Sequence, residues 1–258
     1  MSTLIIGGTG TLGKEITALL PDVIAPTRQE LDITQPETIA RTLDRHAPHV
    51  VVHMAAYTDV ANAEQNREDC WRINVMGTRN LVAALLERRI PLIYISTDYV
   101  FYGDRGRYTE DDPVGMVRNY YALSKLVAEE LVHVLSLYVI IRTSFRPRTW
   151  PFSTAATDLY TSQDYVDVIA PDIAMVITSH AQIPYHVLHI ATERKSTYEL
   201  AVRRKPDVIP ISRTELRVEL PEDISLDTSR WKRLKETLVA KGEYEYDYQC
   251  QEELICGK

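Results

Sequence analysis

Cysteine is nearly absent: Cys70, Cys250 and Cys256 are the three in 258 residues. They are too few and too scattered for a disulfide scaffold and lack the spacing of a metal site, so the chain must be held by its core. A reducing cytoplasm is the expected compartment. Long apolar runs are missing as well. No stretch nears the roughly 20 residues that span a bilayer, and the sequence enters a strand within its first residues, which predicts a soluble protein with no targeting segment and no membrane partner. Nor is there a basic excess. The net charge is −7 and Lys and Arg are dispersed, which excludes a nucleic-acid polymer as the main partner. An anionic ligand must therefore be held by local donors.

Glycine is also scarce, ten in the whole chain, yet Gly7, Gly10 and Gly13 sit together in Leu4-Ile5-Ile6-Gly7-Gly8-Thr9-Gly10-Thr11-Leu12-Gly13. A short apolar run breaks into spaced glycines and then enters a helical stretch. Such a turn lets a backbone approach a pyrophosphate closely and lets the following helix lie tight on its strand. The phosphates then meet the free N–H groups at the helix N-terminus. Gly7, Thr9, Gly10, Thr11, Leu12 and Gly13 are thus candidate dinucleotide-binding residues.

Apolar runs alternate with helical patterns through the first 190 residues. Leu4–Ile6, Asp22–Ala25, Val50–His53, Leu92–Ile95, Tyr138–Ile141 and Val187–Ile190 are expected strands. Gly13–Leu20, Gln35–His46, Glu64–Arg89 and Tyr120–Leu135 are expected helices, the third divided or bent around Asn74 to Gly77. Alternation of this kind predicts an α/β fold, a Rossmann-type doubly wound parallel sheet. After Thr143 the pattern degrades into Pro, Thr, Ser and aromatics up to Gln163, a natural substrate lid, before a helix over Asp164–Ser179. The expected division is a dinucleotide-binding domain over residues 1–144 and about 164–192. A small C-terminal substrate lobe takes about 145–163 and 193–258, with helices at Thr197–Arg204 and Trp231–Leu238. The end, Glu243-Tyr244-Glu245-Tyr246-Asp247-Tyr248, alternates acid with aromatic and carries no expected chemistry.

The strand at Leu92 runs into Ser96-Thr97-Asp98-Tyr99, which puts hydroxyl groups at the carboxyl edge of the sheet, where open α/β sheets bind ligands. Tyr121 and Lys125 follow at i and i+4 on a helix, so they share a face. Moving a phenol from a pKa near 10 to about 7 needs roughly 4 kcal/mol of anion stabilisation, which a neighbouring ammonium and an oxidised nicotinamide supply in a dry cleft. Tyr120 is paired with Ser124 instead and lacks that partner. Tyr121 is the expected proton donor, Lys125 its partner on the cofactor side and Thr97 the group that orients the reacting oxygen. At the end of the second strand stand Thr27 and Arg28. A basic residue there accommodates a 2′-phosphate, which favours NADPH over NADH, although Glu30 and Asp32 stand nearby.

These motifs resemble the extended short-chain dehydrogenase/reductase superfamily, and within it the dTDP-4-dehydrorhamnose reductases and related sugar-nucleotide 4-keto reductases. The resemblance runs in order through Leu31-Asp32-Ile33-Thr34, Pro48 to Val60, Asn74-Val75-Met76-Gly77-Thr78, Ser96 to Phe101 and Arg142-Thr143-Ser144. It implies that Asp32 and Ile33 border the adenine and that Ala55, Ala56 and Tyr57 line the cofactor. Thr58, Val60, Thr97, Asp98 and Phe145 are then expected on the substrate side. Phe145 stands where the rhamnose reductases carry Trp, Ala122 where they carry Gly, and the lid is shorter. The implied activity is NAD(P)H-dependent reduction of the 4-keto group of a nucleotide-linked deoxysugar, by a homodimer, without a metal declared by any ligand cluster. Tyr99, in place of an acid after Thr97-Asp98, argues against a dehydratase. A 4-epimerase and a non-catalytic NAD(P)-binding regulatory subunit are the alternatives.

Overall fold

The computed structural model describes residues 2–216 and 220–241. Five strands, β1 (Thr3–Ile6), β2 (Val50–His53), β3 (Leu92–Thr97), β4 (Tyr138–Thr143) and β5 (Val187–His189), form one sheet in that order. Every pairing in it is parallel. The run expected as a strand at Asp22–Ala25 is reduced to one bridge, Ile24 to Leu4. The chain therefore leaves β1 for one edge, then returns through helix α2 (Pro36–His46) to pair β2 on the other side of β1. That reversal leaves a crevice at the carboxyl ends of β1 and β2, the position where doubly wound sheets take their ligands.

Side-chain alternation divides the core in two. Ile5, Val50, Val52, Ile93, Ile95, Val139 and Ile141 face helices α1 (Thr11–Leu19) and α7 (Val166–Thr178). Leu4, Ile6, Val51, Leu92, Tyr94 and Ile140 face α2 and the helices α5 (Thr78–Arg88) and α6 (Tyr120–Val132). A sheet covered on both faces needs strands apolar at every position, and β2 is buried at all four of its residues. Each such side chain contributes about 1.5–3 kcal/mol by leaving water.

The long helical stretch divides as expected. α3 (Val60–Ala63) and α4 (Arg67–Trp71) precede a π-helical turn over Arg72–Gly77, which runs into α5. The π turn lets Asn74 face inward. Its side chain accepts from Tyr57 N at 2.7 Å and donates to Ser124 Oγ at 2.9 Å. Widened turns of this kind favour functional sites.

Residues after β4 build the small lobe from short strand pairs. Thr154–Ala156 pairs with Ile209–Ile211, Tyr160–Thr161 with Lys195–Ser196, and Phe145–Arg146 with Asp164–Tyr165. Asp164 and Tyr165 are thus strand, and α7 starts at Val166 rather than Asp164. Trp150, Ala155, Tyr165, Leu200, Ala201 and Val208 form the lobe's own core around α8 (Thr197–Val202). The last helix, α9 (Ser229–Ala240), departs from expectation. Trp231, Leu234 and Leu238 pack into the sheet's core, and Trp231 Nε1 donates to Asp172 of α7 at 2.8 Å. Its apolar stripe completes the coat over α7, so it belongs with the sheet and not with the lobe. The acidic-aromatic segment at 243–248, Cys250 and Cys256 lie outside the described residues.

Candidate active site

A cleft of about 500 Å³ opens at the end of β1. Gly7 there has φ +94°, and a Cβ on it would lie 2.6 Å from Ala55 N. A Cβ on Gly13 would lie 2.2 Å from Gly7 O, so α1 reaches its strand only because position 13 is bare. Gly10 caps α1 with no side-chain hydrogen bond, which leaves the first N–H groups of the helix turned to the cleft. Thr9, Thr11 and Leu12 line the same floor, and Arg28, Asp32, Ile33, Ala55, Ala56 and Thr58 line the walls. An uncapped helix N-terminus behind a glycine cradle suits a dinucleotide pyrophosphate. Arg28 stands at the mouth, its side chain 70% exposed and 3.6 Å from Asp32. Asp32 in turn accepts from Thr34 N and Oγ1. Tyr57 departs from expectation: it is not among the residues lining the cleft, because Asn74 holds its backbone and its ring packs toward Cys70 and Tyr121.

A second cavity, of about 430 Å³, lies between the sheet and the small lobe. Thr58 lines both spaces, and of the other residues expected on the substrate side Val60 and Asp98 line the second, joined there by Tyr99, whereas Thr97 does not. Phe145 does not. On the two-residue strand Phe145–Arg146, adjacent side chains point to opposite faces, so Phe145 lines the dinucleotide cleft and Arg146 enters the second cavity.

Of the groups expected at the site, Asp98 lines the second cavity, while Thr97, Tyr121 and Lys125 are not among the residues lining either space. Tyr121 is buried, with its ring edge-on to Tyr99 at 6.3 Å. Burial, the Asp98 charge and Tyr99 push its phenol well up, while the Thr97 hydroxyl pulls the other way. Thr97 Oγ1 also donates to Asp98 Oδ1 at 3.1 Å. Asp98 is 1% exposed, and burial pushes its carboxyl up to about 7 against the Thr97 and Ser144 hydrogen bonds. Lys125 is brought near but turned down. Its ammonium donates to the Tyr94 hydroxyl and to Ile95 O at 2.8 Å, and no hydrogen bond joins it to Tyr121. Burial lowers it to about 7, with Glu129 opposing. Among the described residues no group of three or more His, Cys, Asp and Glu side chains is arranged to hold a metal. No helix among them is long and apolar enough to cross a membrane.

Residues 1–233 match the family described as RmlD substrate binding domain. The chain belongs to this family. A dTDP-4-dehydrorhamnose reductase of Aggregatibacter actinomycetemcomitans is 30% identical over 230 residues, 77% of this chain and 76% of that one. A dTDP-4-keto-6-deoxy-D-glucose reductase of Streptomyces niveus is 36% identical over 133 residues, 50% of this chain and 46% of the relative's length. Two solved structures share the fold along nearly the whole chain. A dTDP-4-dehydrorhamnose reductase from Bacillus anthracis, in complex with NADP, superposes with a TM-score of 0.79 at 27% identity and covers 90% of this chain and 91% of its own. A hypothetical dTDP-4-dehydrorhamnose reductase from Sulfolobus tokodaii gives 0.80 at 30%, with 91% and 94% covered. The family match spans the sheet, the small lobe and the start of α9, and so takes in both spaces.

Four residues of the site escape the sequence reading. Glu129 continues the Tyr121, Lys125 spacing by one more i+4 step and forms a buried ion pair with Arg142 at 2.8 Å. Extending that spacing by one turn finds it. Asn74 falls in the bend that the sequence predicts, and its clamp on Tyr57 and Ser124 depends on the π turn. Tyr94 is a strand residue with no local signal. Arg146 follows a segment recognised by its motif, but its face is set by pairing with Tyr165.

Proposed function

We propose that this protein reduces the 4-keto group of a nucleotide-linked deoxysugar with NADPH, NADH being the weaker donor. What carries the reading is a dinucleotide cleft and a second cavity that share Thr58, with Thr97 and Tyr121 reaching the second through their contacts to its lining residues Asp98 and Tyr99. The relatives' reductase names and the NADP held by the Bacillus anthracis structure support it. The cradle of Gly7, Gly10 and Gly13 with Thr9, Thr11 and Leu12 holds the pyrophosphate, Asp32 and Ile33 border the adenine, and Ala55 and Ala56 line the path to the nicotinamide. Arg28 meets the 2′-phosphate. The cofactor, when bound, supplies the hydride.

A phenol pushed upward by burial and by Asp98 stays protonated at neutral pH, the form that a keto reduction consumes. Tyr121 donates its proton to the developing alkoxide, and Thr97 hydrogen-bonds that same oxygen. Lys125, one helical turn from Tyr121, is held by the Tyr94 hydroxyl and the Ile95 carbonyl of β3 and braces the nicotinamide side of the site. Thr58, Val60 and Asp98 face the sugar. Residues 1–144, most of 164–192 and α9 act as the dinucleotide-binding body, and 145–163 with 193–228 as the substrate lobe. The buried free thiol of Cys70 suits a cytoplasmic setting, and the family resemblance supports a homodimer.

The test follows NADPH and NADH oxidation at 340 nm with freshly made dTDP-4-dehydro-6-deoxysugar and its epimerase. The wild type consumes one cofactor per sugar, NADPH faster. Tyr121→Phe binds NADPH unchanged but loses about 10²–10⁴ in kcat. Sugar inverted with no net cofactor consumed establishes a 4-epimerase instead, and cofactor binding with no turnover of any 4-keto sugar nucleotide establishes a binding subunit.

A further inference from the structure

We propose that Arg146 is the residue that grips the diphosphate of the substrate, an assignment that rests on the nucleotide-sugar reading above. Among the described residues the buried and half-buried arginines are Arg88, Arg142, Arg146, Arg213 and Arg230, and each has a carboxylate partner within 4 Å except Arg146. Its only hydrogen bond is from Nε to the amide oxygen of Gln163 at 2.6 Å, a neutral acceptor. The two terminal nitrogens are left for something else, in the fork that matches phosphate oxygens in pairs.

The surroundings point the fork into the cavity. Arg146 lines it, and the guanidinium carbon lies 5.5 Å from the Trp150 ring and 5.6 Å from the Phe152 ring. Those rings fix its plane, and Phe152, half exposed, offers a face at the cavity edge. Gln163 is itself held, its backbone N–H donating to Thr161 Oγ1 at 3.0 Å, its backbone carbonyl accepting from Lys195 Nζ at 3.0 Å and its side-chain Nε2 donating to Thr161 Oγ1 at 3.4 Å. The charge argument is decisive. The other ionisable side chains that line this cavity are the acids Asp59 and Asp98 and the phenol of Tyr99, so Arg146 carries the one basic group among its described walls. A diphosphate taken into this space has no other cation to meet, and an unneutralised phosphate in a half-dry cavity binds poorly.

The experiment titrates NADP-loaded wild type, Arg146→Met and Gln163→Glu with dTDP, UDP and thymidine by calorimetry, and follows NADPH binding by fluorescence. Gln163→Glu keeps the guanidinium but gives it an internal carboxylate, so it tests the free fork without deleting it. Both variants are expected to weaken the preferred nucleoside diphosphate roughly 10- to 100-fold, as loss of charge-assisted hydrogen bonds does. Thymidine and NADPH binding stay unchanged, and in turnover KM rises while kcat stays within about threefold. Unchanged nucleoside diphosphate affinity in Arg146→Met overturns the proposal. So does a KM effect on the keto sugar with dTDP and UDP unaffected, which places the guanidinium on the sugar. A wild type that holds NADPH but binds no nucleoside diphosphate overturns the nucleotide-sugar reading itself.

Discussion

Lys125 shows how far a single residue's role depends on what lies beneath it. The i+4 step from Tyr121 puts both on one helix face, but the ammonium turns to Tyr94 and Ile95 O, and burial lowers its pKa to about 7. A charge held at such a cost is a catalytic asset and a stability burden. Lys125→Met is therefore expected to lose about 10²–10⁴ in kcat/KM while its melting temperature at pH 7 stays level or rises. Activity assays beside thermal unfolding check both halves, and a drop in melting temperature contradicts the second. Arg28 is the opposite case, an exposed cation whose worth lies in a ligand. Arg28→Ala is expected to reduce the NADPH-to-NADH preference in kcat/KM by about tenfold, a charge-assisted contact to phosphate being worth roughly 1.5–3 kcal/mol.

At the scale of elements, the glycine turn divides into positions that serve packing and positions that serve the ligand. At Gly13 any Cβ collides with the Gly7 carbonyl at 2.2 Å and with Gly8 Cα at 2.6 Å, all of it backbone. Gly13→Ala is expected to cost at least about 1–3 kcal/mol, as overpacking does, and to abolish NADPH binding because α1 is levered off β1. At Gly10 the nearest atom is Gly7 O at 3.3 Å. Gly10→Ala should cost about 1 kcal/mol or less of stability, the worth of a poorer cap. Urea unfolding of the two variants separates them, and equal losses would show that the turn yields as a unit.

At the scale of the whole molecule, two buried histidines are expected to contribute to the pH dependence of stability between pH 3 and 6.5. His53, fully buried and next to Lys125, is lowered to about 3, and His189, buried with Arg142 nearby, is likewise lowered to about 3. The unfolded chain takes up these protons near pH 6.5 and the folded one does not, so their stabilisation is present above pH 6.5 and lost as pH falls toward 3. Asp98 has the opposite sign. Its carboxyl is raised from 3.8 to about 7, so its contribution is present below about pH 4 and lost as pH rises through 7. His53→Leu is expected to flatten the stability profile between pH 4 and 6.5 by about 1.4 kcal/mol per pH unit, one proton's worth. Urea midpoints across that range read it directly, and an unchanged slope would mean that His53 titrates freely in the folded protein.

What the sequence determined by itself is the part governed by local covalent geometry and by periodicity. Spaced glycines dictate the turn, continuous apolar runs dictate strands covered on both faces, and the i+4 step dictates that Tyr121 and Lys125 share a side of α6. Each is settled within one element, so the doubly wound fold and the glycine turn at its cleft were legible from the sequence, and Thr97 and Tyr121 could be proposed from it. Tertiary structure alone decided what depends on which surfaces meet. Ile24 keeps one bridge instead of a strand, no described residue pairing its outer edge, and α9 joins the sheet because the face of α7 needs cover. The face of Phe145 and Arg146 turns on a two-residue pairing with Asp164 and Tyr165, 19 positions away. Sequence placed an aromatic on the substrate side, and pairing put an arginine there, because strand register is a long-range choice that no local pattern encodes.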